Sequence, residues 1–405
     1  MTAPQASAVS RGYWQAEVAD TKPIKILLYS TDFFPLIGGV QEAIKQLGHG
    51  LLKAGHQTMV VTKTGVGSFN DRELAFPVVR QPRLRKLSRL IGETDIVHLA
   101  GPSFLALMLG LLHRKPLVIE HHGYQAMCPN GLLLYAPGQT ACAGHFMAGN
   151  YDQCLRCLAE ADGSLHSLWR FLITFPRRWM CGRVSANTAI SRHVERRLQL
   201  PRSNFIYYGI PDVLSETLRL ASEPYAPTCF GFIGRLVEEK GLMVLLEAAS
   251  RLRKRGYDFR LKFIGEGPER PRLEEKILQS DLTRQVTFMG SLTGEAMREA
   301  IVDLVAVIVP SIMEETAGLA AIEQMMRGRL VIASDIGGLG EIVGAAGLKF
   351  SAGNTEELCS CMQRVLDEPG LATAIGRQAR QRYLELFTHS RMIENHLALY
   401  EEVLK

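Results

Sequence analysis

The alternation of buried strands with amphipathic helices, which runs through the chain twice, constrains the fold more than any other feature. It begins with the apolar run 24–30, a loop ending in Gly38-Gly39 and a helical pattern over about 40–53. Repeated strand-then-helix units predict parallel sheets with helices on both faces. The alternation restarts near residue 229. We therefore expect an α/β protein with two Rossmann-like, doubly wound domains facing across a cleft.

The chain length agrees with two domains, because 405 residues exceed what one hydrophobic core usually organises. The first segment carries Glu17 and Asp20 and has no apolar core, so it predicts a poorly ordered leader and not a signal peptide. The predicted segments are a leader (1–23), an N-terminal domain (24–210) with an inserted loop or lid at about 125–165, a linker (211–227), a C-terminal domain (228–385) and a terminal helix packing back toward the first domain (386–405).

Composition places the chain among ordinary globular proteins, with 47% hydrophobic and 21% charged residues. Its longest apolar run, 104–112, is too short to span a bilayer. These features predict a cytoplasmic protein, either free or at the inner face of the membrane. In that compartment the eight cysteines are expected to be thiols or metal ligands rather than disulfides.

The net charge of +5 conceals an asymmetry between the two halves. Residues 1–210 contain 23 Lys and Arg against 13 Asp and Glu, whereas residues 211–405 contain 23 against 28. A basic first half and an acidic second half indicate different partners for the two domains. No long charge block or Lys-rich tail indicates binding to nucleic acid.

Two cations, Arg235 and Lys240, follow the first strand of the second half in the sequence Gly-Arg-Leu-Val-Glu-Glu-Lys-Gly, 234–241. Cations at the junction of a strand end and a helix start suit a diphosphate, because the helix N-terminus adds amide donors on the same side. The planar fork of Arg and the compact charge of Lys together would stabilise a departing diphosphate. The alternative is two solvated cations beside Glu238 and Glu239.

Two glutamates, Glu315 and Glu323, lie in the segment 310–323, which follows another buried strand. A carboxylate accepts pairs of hydrogen bonds from vicinal hydroxyls, so one would hold a sugar and the other a ribose. The alternative is an ordinary helical glutamate at 323 and a first-turn dipole complement at 315. Against it, Glu323 is surrounded by apolar residues, where an idle carboxylate would be costly.

An ordered series of motifs resembles family four of the retaining, GT-B-fold glycosyltransferases. The series runs from about residue 25 to the C-terminus. It comprises Asp-Phe-Phe-Pro-Leu-Ile-Gly-Gly-Val at 32–40, His-His-Gly at 121–123, the segment 234–241, Phe-Ile-Gly-Glu-Gly-Pro at 263–268, Val-Thr-Phe-Met-Gly at 286–290, the glutamate pair ending at 323 and Ala-Ser-Asp-Ile-Gly-Gly-Leu-Gly-Glu-Ile-Val at 333–343.

The resemblance implies a role for each candidate residue. Arg235 and Lys240 would bind the donor diphosphate, and Glu315 would hold donor-sugar hydroxyls. Glu323 would hold the ribose, and His122 would approach the sugar near the reacting centre; the alternative for His122 is a satisfied histidine at a strand end. The other donor-binding residues implied are Gly38, Gly39, Gly234, Gly265, Gly290, Gly318 and Leu319.

The resemblance also implies the reaction. A sugar would pass with retention from a nucleotide-diphosphate donor of the UDP or GDP type to a hydroxyl acceptor. The acceptor would be a glycan or lipid-linked glycan of polysaccharide or glycoconjugate biosynthesis. No cofactor is expected for catalysis, and the absence of Asp-x-Asp agrees with a metal-independent mode. The rival functions are a GT-B phosphorylase or epimerase and a non-catalytic nucleotide-sugar-binding protein.

Two departures from the family pattern bear on the site. Ala317 stands where the family often has an aromatic residue, and this is expected to reshape the donor-sugar pocket. Tyr208-Gly209 stands where Asn-Gly is usual after the last strand of the first domain. That change alters an expected contact between the domains.

Four cysteines, Cys128, Cys142, Cys154 and Cys157, fall inside the inserted segment. Four thiols, two of them in a Cys-x-x-Cys, can form a tetrahedral structural zinc site. Unligated thiols and a redox pair at 154 and 157 are the alternatives.

Two basic segments are candidates for contact with a membrane or an acceptor. The first, 80–90, alternates five cations with leucines, and the second, 169–179, places Trp169, Phe175 and Trp179 among arginines. Basic residues interleaved with aromatic ones suit peripheral docking on anionic lipid. A solvated basic helix and a core helix packing inward are the alternatives.

Overall fold

The computed structural model describes residues 22–36, 38–138, 140–161, 165–213 and 228–405. Most of the predicted leader, 1–23, and most of the predicted linker, 211–227, lie outside these residues. The described residues form two parallel α/β domains, as the strand–helix alternation predicted.

The first domain is built on a seven-stranded sheet in the order β3-β2-β1-β4-β5-β8-β9, and all neighbouring strands are parallel. A two-stranded antiparallel hairpin, β6-β7, lies outside it. The strands are β1 (Lys25–Ser30), β2 (Gln57–Thr62), β3 (Val78–Arg80), β4 (Ile96–Ala100), β5 (Leu117–His121), β6 (Leu134–Tyr135), β7 (Thr140–Ala141), β8 (Ala186–Ala189) and β9 (Ser203–Phe205).

Helices cover this sheet, and its central strands are therefore buried on both faces, which explains why they read as continuous apolar runs. The helices of the first domain are α1 (Gly39–Lys53), α2 (Leu84–Gly92), α3 (Phe104–Leu112), α4 (Tyr151–Ala161), α5 (Leu165–Cys181) and α6 (Arg192–Leu198).

The second domain repeats the architecture with six parallel strands in the order β12-β11-β10-β13-β14-β15. Its strands are β10 (Cys229–Ile233), β11 (Arg260–Ile264), β12 (Val286–Gly290), β13 (Leu304–Val309), β14 (Leu330–Ser334) and β15 (Leu348–Phe350). Its helices are α7 (Leu242–Lys254), α8 (Arg270–Gln279), α9 (Gly294–Ile301), α10 (Leu319–Met326), α11 (Gly337–Val343), α12 (Thr355–Asp367) and α13 (Leu371–Leu386), and the last helix of the chain is α14 (His389–Leu404).

The strand order reverses between β1 and β4 in one sheet and between β10 and β13 in the other. At such a switch point the connections leave in opposite directions and open a crevice at the carboxyl ends of the strands. The fold therefore sets two crevices for ligands, one in each domain.

Helix α14 returns to the first domain. Its residues Leu399 and Tyr400 belong to the core that contains β1 and α1. The approach is close, because a Cβ on Gly50 of α1 would lie 2.2 Å from Cδ1 of Ile393. His389 at the start of α14 also bonds the carbonyl of Gln46 at 2.9 Å. The end of the chain is thus part of the first domain's core.

The inserted segment, expected to be a loop or lid, contains the hairpin β6-β7 and the helix α4. Periodic apolar residues of α4 explain the difference, since Cys154 and Leu158 pack with Phe146 and Phe171 in a small separate core. Among the residues described, no helix is long and apolar enough to cross a membrane.

Candidate active site

Three glycines at neighbouring strand ends form a backbone shelf in the second domain. Gly234, Gly265 and Gly290 follow or end β10, β11 and β12, and all three have positive φ. A Cβ on Gly265 would lie 1.9 Å from the carbonyl oxygen of Gly234, and its amide donates to the carbonyl of Gly290 at 2.8 Å. Only glycine fits between these neighbouring strand ends. A ligand at this edge of the sheet would therefore contact backbone atoms rather than side chains.

Lys240 and Glu315, predicted to bind different parts of one donor, contact each other in the second domain. Lys240 lies in a short 3-10 turn before α7, and its Nζ forms an ion pair with Oε1 of Glu315 in the loop after β13. The hydroxyl of Ser311 donates to the same oxygen at 2.5 Å. Burial alone would raise the pKa of Glu315, but Lys240 and Ser311 outweigh it and hold the pKa below its ordinary value. Lys240 is thus neutralised by a protein carboxylate in this structure.

Two helix N-termini face each other across the cleft. Helix α1 starts at Gly39 after Gly38, and α10 starts at Leu319 after Gly318; neither cap provides a side-chain acceptor for the first-turn amides. A Cβ on Gly39 would lie 2.5 Å from Cδ1 of Leu319. The positive ends of two helix dipoles therefore converge on one place, which favours an anionic group there.

The other two predicted donor-side residues are exposed to the cleft. Arg235 is exposed, and so is Glu323, whose apolar neighbours in sequence predicted a costly buried position. The helical period turns Ile322, Gln324 and Met325 inward and leaves Glu323 outward. The surrounding protein nevertheless removes part of the carboxylate's hydration, which raises the pKa of Glu323.

The two histidines at the end of β5 point in opposite directions. Nε2 of His121 lies 3.0 Å from the amide oxygen of Asn187, and burial lowers the pKa of His121 to about 4. His122 stacks on Tyr208 with ring centroids 5.6 Å apart and bonds the Tyr208 hydroxyl through Nδ1. Only 6% of its side chain is exposed, and the approach of His122 to the sugar that the resemblance implies stays a prediction.

Tyr208-Gly209, the departure from the family pattern, lies where the chain contacts Thr388, the residue before α14. A Cβ on Gly209 would lie 2.4 Å from the carbonyl oxygen of Thr388. Tyr208 is buried, and its aromatic ring provides the stacking partner of His122. Tyr208 thus contacts His122 of the first domain, while Gly209 leaves room for the backbone that leads into α14.

Contacts between the domains involve residues that the sequence did not single out. Glu314 accepts from Nε of Arg197 at 3.1 Å and lies 2.8 Å from Nε2 of His193, both on α6. The hydroxyl of Ser191 donates to the carbonyl of Thr316 at 2.7 Å. A sequence signal existed, since Glu314 adjoins Glu315, but nothing in the sequence showed that neighbouring carboxylates serve different domains.

A second glutamate, Glu341 of α11, receives the N-terminus of α6. Its carboxylate accepts from the amides of Arg192 at 3.0 Å and His193 at 2.8 Å, and from the hydroxyl of Tyr207 at 2.6 Å. A carboxylate at a helix N-terminus is stabilised by the helix dipole. Two glutamates of the second domain, Glu314 and Glu341, therefore both bind the short helix α6.

The four predicted metal-ligating cysteines converge. Cys128, Cys142, Cys154 and Cys157 are free, buried and line one small cavity. Among the described residues, however, the one group of three or more His, Cys, Asp or Glu ligand atoms within 4.8 Å of one another is His98, Glu120 and His396. The sulfurs thus share a cavity without the close spacing of a formed metal site.

Polar groups surround the cysteine sulfurs. Sγ of Cys142 accepts from the amide of Gly144 at 3.4 Å, and Sγ of Cys157 accepts from the amide of Ala136 at 3.4 Å. Asn130 donates to Sγ of Cys157 at 3.3 Å and accepts from the thiol of Cys128 at 2.9 Å. Donors aimed at sulfur are the pattern that stabilises thiolate ligands.

The structure also joins the cysteine cavity to the domain contact. Arg197, which pairs with Glu314, donates from Nη2 to the carbonyl of Cys142 at 3.0 Å. One arginine therefore connects the inserted segment to the loop that carries Glu315.

Comparison with known families agrees with this geometry. The family described as Glycosyltransferase Family 4 matches residues 37–210, and the family described as Glycosyl transferases group 1 matches residues 227–368. The chain belongs to the family-4 type of GT-B-fold glycosyltransferases, as the motif series predicted.

Individual relatives share parts of the sequence. A 2-deoxystreptamine glucosyltransferase of Streptomyces kanamyceticus is 29% identical over 58% of this chain, and the match spans 64% of that relative's length. An alpha-D-kanosaminyltransferase of the same organism is 32% identical, and the match spans 39% of its length. A GDP-mannose-dependent alpha-mannosyltransferase of Mycolicibacterium smegmatis is 25% identical over 79% of this chain and 82% of its own length.

Solved structures share the fold. A glycosyltransferase from Rickettsia africae superposes with a TM-score of 0.72 at 19% identity, covering 95% of this chain and all of the other. Anabaena Alr3699/HepE, solved in complex with UDP and glucose, superposes with a TM-score of 0.69 at 17% identity, covering 93% and 98%. At these identities the likeness concerns the fold alone.

The depressed pKa of Glu315 predicts a pH-dependent contribution to stability. The ionised carboxylate stabilises the fold above its ordinary pKa of 4.5, and this contribution is lost as the pH falls through the lower, folded-state pKa. We expect Glu315→Gln to lower the midpoint of thermal unfolding most at about pH 6, with the gap to the unsubstituted protein closing toward about pH 3. The exposed Glu238→Gln is the control; a gap for Glu315→Gln that stays constant over this range would contradict the assignment.

Proposed function

We propose that this protein transfers a sugar, with retention of anomeric configuration and without a catalytic metal, from a nucleotide-diphosphate sugar to a hydroxyl acceptor. The observation that carries the proposal is the meeting of Lys240 and Glu315 beside the glycine shelf, opposite the facing N-termini of α1 and α10. This arrangement provides a cation, a carboxylate and uncapped amides at one place in the cleft. It suits a ligand with both a diphosphate and vicinal hydroxyls.

The leaving diphosphate would be stabilised by protein charge alone. Lys240 would leave its pair with Glu315 and join Arg235 on the diphosphate, while the amides of Gly39 and Leu319 would face the same oxygens. Cations and helix N-termini placed in advance stabilise charge that develops in the transition state. A diphosphate neutralised in this way would need no bridging metal.

The carboxylate freed by Lys240 would then bind the donor. Glu315 would accept from hydroxyls of the sugar, and the exposed Glu323 would accept from those of the ribose. Gly234, Gly265 and Gly290 would let the base approach main chain. Since no carboxylate nucleophile is assigned, we propose front-face substitution, in which the leaving diphosphate accepts the acceptor's proton.

Relatives and structural neighbours support the proposed donor and acceptor classes. One relative's name specifies GDP-mannose, and one structural neighbour binds UDP and glucose, so a UDP- or GDP-linked hexose is the proposed donor. The proposed acceptor is a hydroxyl of a glycan or lipid-linked glycan, as in polysaccharide or glycoconjugate biosynthesis. An O-antigen chain mannosyltransferase of Escherichia coli, 22% identical over 93% of this chain, supports that acceptor class.

A panel of UDP- and GDP-sugars tests the proposal directly. One of them should be hydrolysed slowly, or transferred to a glycan acceptor, with the anomeric configuration retained by proton NMR and with full activity in EDTA. Nucleotide release from none of the panel, or transfer of phosphate instead of sugar, would refute it.

Lys240→Ala should separate leaving-group stabilisation from donor binding. We expect turnover to fall by about 10²–10³-fold, since one preorganised charge partner of the transition state is lost. The matched control is Lys276→Ala on α8, whose Nζ lies 3.8 Å from Glu247 outside the cleft. Near-normal turnover of Lys240→Ala would remove this role from Lys240.

We also propose that the four cysteines hold one structural zinc ion. Four thiols are a ligand set that suits zinc, and they converge on one cavity. Backbone amides also donate hydrogen bonds to two of the sulfurs. The thiols would have to close in by side-chain rotation, because Cys128 now donates to Asn130 and Cys157 lies 3.6 Å from the carbonyl of Leu134. The zinc would stiffen the insert and, through Arg197, the loop of Glu314.

Metal analysis of the purified protein tests the zinc proposal. We expect about one zinc per chain, lost in the double variant Cys154→Ser/Cys157→Ser because two of four ligands are removed. Cys361→Ser on α12 should keep the zinc. Folded protein with less than about 0.1 zinc per chain would contradict the proposal.

Finally, we propose that α5 docks on an anionic membrane surface. The structure leaves Trp169 and Trp179 each 58% exposed and Leu172 52% exposed, whereas a core helix would have packed these side chains inward. Exposed Arg183 borders this apolar face, and its guanidinium lies 3.5 Å from the centroid of the Trp179 ring. Aromatic side chains flanked by cations suit the interface of anionic lipid.

The other basic segment, 80–90, supports membrane docking less strongly in the structure than its pattern of cations and leucines predicted. Arg80 is not available to lipid, because its guanidinium pairs with Asp71 at 2.7 Å and its side chain is 6% exposed. Helix α2 buries Leu87 and Ile91 and exposes its basic face. The docking proposal therefore rests on α5.

Vesicle flotation tests the docking. The protein should float with vesicles containing phosphatidylglycerol and less with pure phosphatidylcholine, and high salt should weaken binding. Trp169→Ser/Trp179→Ser should abolish flotation without changing donor hydrolysis. The control Leu278→Ser removes a leucine that is 70% exposed on the second domain. Equal flotation of the double variant and the unsubstituted protein would contradict the assignment of α5.

A further inference from the structure

One buried carboxylate, Glu120 of β5, is faced by three imidazoles. Its side chain is 3% exposed, and its oxygens lie 3.3 Å from Nε2 of His98, 3.3 Å from Nε2 of His122 and 3.5 Å from Nε2 of His396. The histidines come from β4, from the end of β5 and from α14. The cluster thus joins His122 to α14, the last helix of the chain.

Each imidazole is oriented by a second contact outside the cluster. Nδ1 of His98 lies 2.9 Å from the hydroxyl of Tyr400, and Nδ1 of His122 bonds the hydroxyl of Tyr208. Nδ1 of His396 lies 2.8 Å from the carbonyl oxygen of Met392. All three rings therefore turn Nε2 toward Glu120, which forms a hydrogen bond with His98 and lies beside the unpartnered Nε2 atoms of His122 and His396.

The hydrogen-bond roles determine where one proton must be. A carbonyl oxygen only accepts, so Nδ1 of His396 carries a proton. Nε2 of the same ring is buried, has no hydrogen-bond partner and faces the carboxylate. If Nε2 were unprotonated, its lone pair would face a negative oxygen in a water-free site. A second proton on His396 removes that repulsion and makes a neutral ion pair with Glu120.

A divalent cation is the competing occupant, since His98, Glu120 and His396 offer three ligand atoms within 4.8 Å of one another. With one carboxylate it would leave a net positive charge in a site where both histidines are 0% exposed. The shared proton leaves no net charge, and burying an uncompensated charge is costly. The proton arrangement is therefore favoured, and the cation becomes an outcome of the test.

We propose that Glu120, anchored by His98 and by His396 of α14, is a positioning residue that sets the tautomer and orientation of His122. Glu120 holds the proton of His122 on Nε2, and Nδ1 accepts from the hydroxyl of Tyr208. Burial raises the pKa of Tyr208 well above its usual range, which keeps that hydroxyl a donor. The active geometry of His122 then depends on α14 being docked, because α14 supplies His396, Tyr400 and Met392.

The charge state of Glu120 agrees with this role. Burial alone would raise its pKa, but the imidazoles of His122, His396 and His98 hold it well below the ordinary range. A carboxylate that remains ionised can select the tautomer of a neighbouring imidazole, as second contacts do for histidines at other sites. The catalytic part of the inference rests on the proposed function, and within it on the role near the reacting centre of the sugar that the resemblance implies for His122.

Nitrogen NMR of the full chain with ¹⁵N-labelled histidine tests the positioning without using activity. In the unsubstituted protein His122 should be the tautomer protonated at Nε2. Glu120→Gln and His396→Asn should shift it toward a mixture of tautomers. Tyr400→Phe, which removes one hydroxyl from the rim of the cluster, is the milder variant should either fail to fold. His56→Asn, also buried but outside the cluster, should leave the His122 signals unchanged.

Kinetics provide the second readout. Glu120→Gln and His396→Asn should lower kcat by about 10–100-fold, the usual effect of removing a residue that orients a functional group. The donor KM should change less than about twofold, because the donor contacts lie elsewhere. His56→Asn should keep both constants.

Separate outcomes distinguish the two proposals. An unchanged His122 tautomer in folded Glu120→Gln overturns the positioning role, whatever happens to activity. Full activity of His122→Asn would instead contradict the role of His122 in transfer and leave the NMR result standing. A metal equivalent that is lost in His396→Asn but kept in Cys154→Ser/Cys157→Ser would also overturn the proposal, because the cluster would then be a metal site.

Discussion

Two adjacent carboxylates after β13 connect the domains to the donor side of the cleft. Glu314 turns outward to Arg197 and His193 of the first domain, whereas Glu315 turns inward to Lys240 and Ser311. Because the two glutamates are neighbours in one loop, a few covalent bonds separate the contact with α6 from the carboxylate that pairs with Lys240.

The glycines explain how this loop and its surroundings approach so closely. Gly241 would place a Cβ 2.0 Å from the carbonyl of Pro310, and Gly338 would place one 2.2 Å from the carbonyl of Thr316. Backbones therefore touch where the turn of Lys240, the loop of Glu315 and α11 meet. The backbone that carries these charged side chains is therefore held by neighbouring main chain on several sides.

In the first domain, segments that are far apart in the sequence hold polar side chains in position. The cysteine insert reaches the loop of Glu314 through Arg197, and α14 completes the polar cluster behind His122. Both additions surround the cleft without lining the glycine shelf. Both therefore hold polar side chains of the first domain in place, whereas Trp169 and Trp179 of α5 stay exposed.

The sequence by itself determined the two-domain α/β architecture, because strand and helix periodicities are local and parallel sheets bury apolar strands. Ordered motifs likewise identified the family and singled out Lys240, Glu315 and the glycines at the strand ends, although the ion pair between Lys240 and Glu315 came only from the structure. Tertiary structure decided the rest. It exposed Glu323, whose apolar neighbours in sequence turn inward along a helix, and it enclosed His122 by stacking it on Tyr208. Contacts such as Glu120 with His396 join residues far apart in the chain, and no local pattern encodes which buried polar groups will meet.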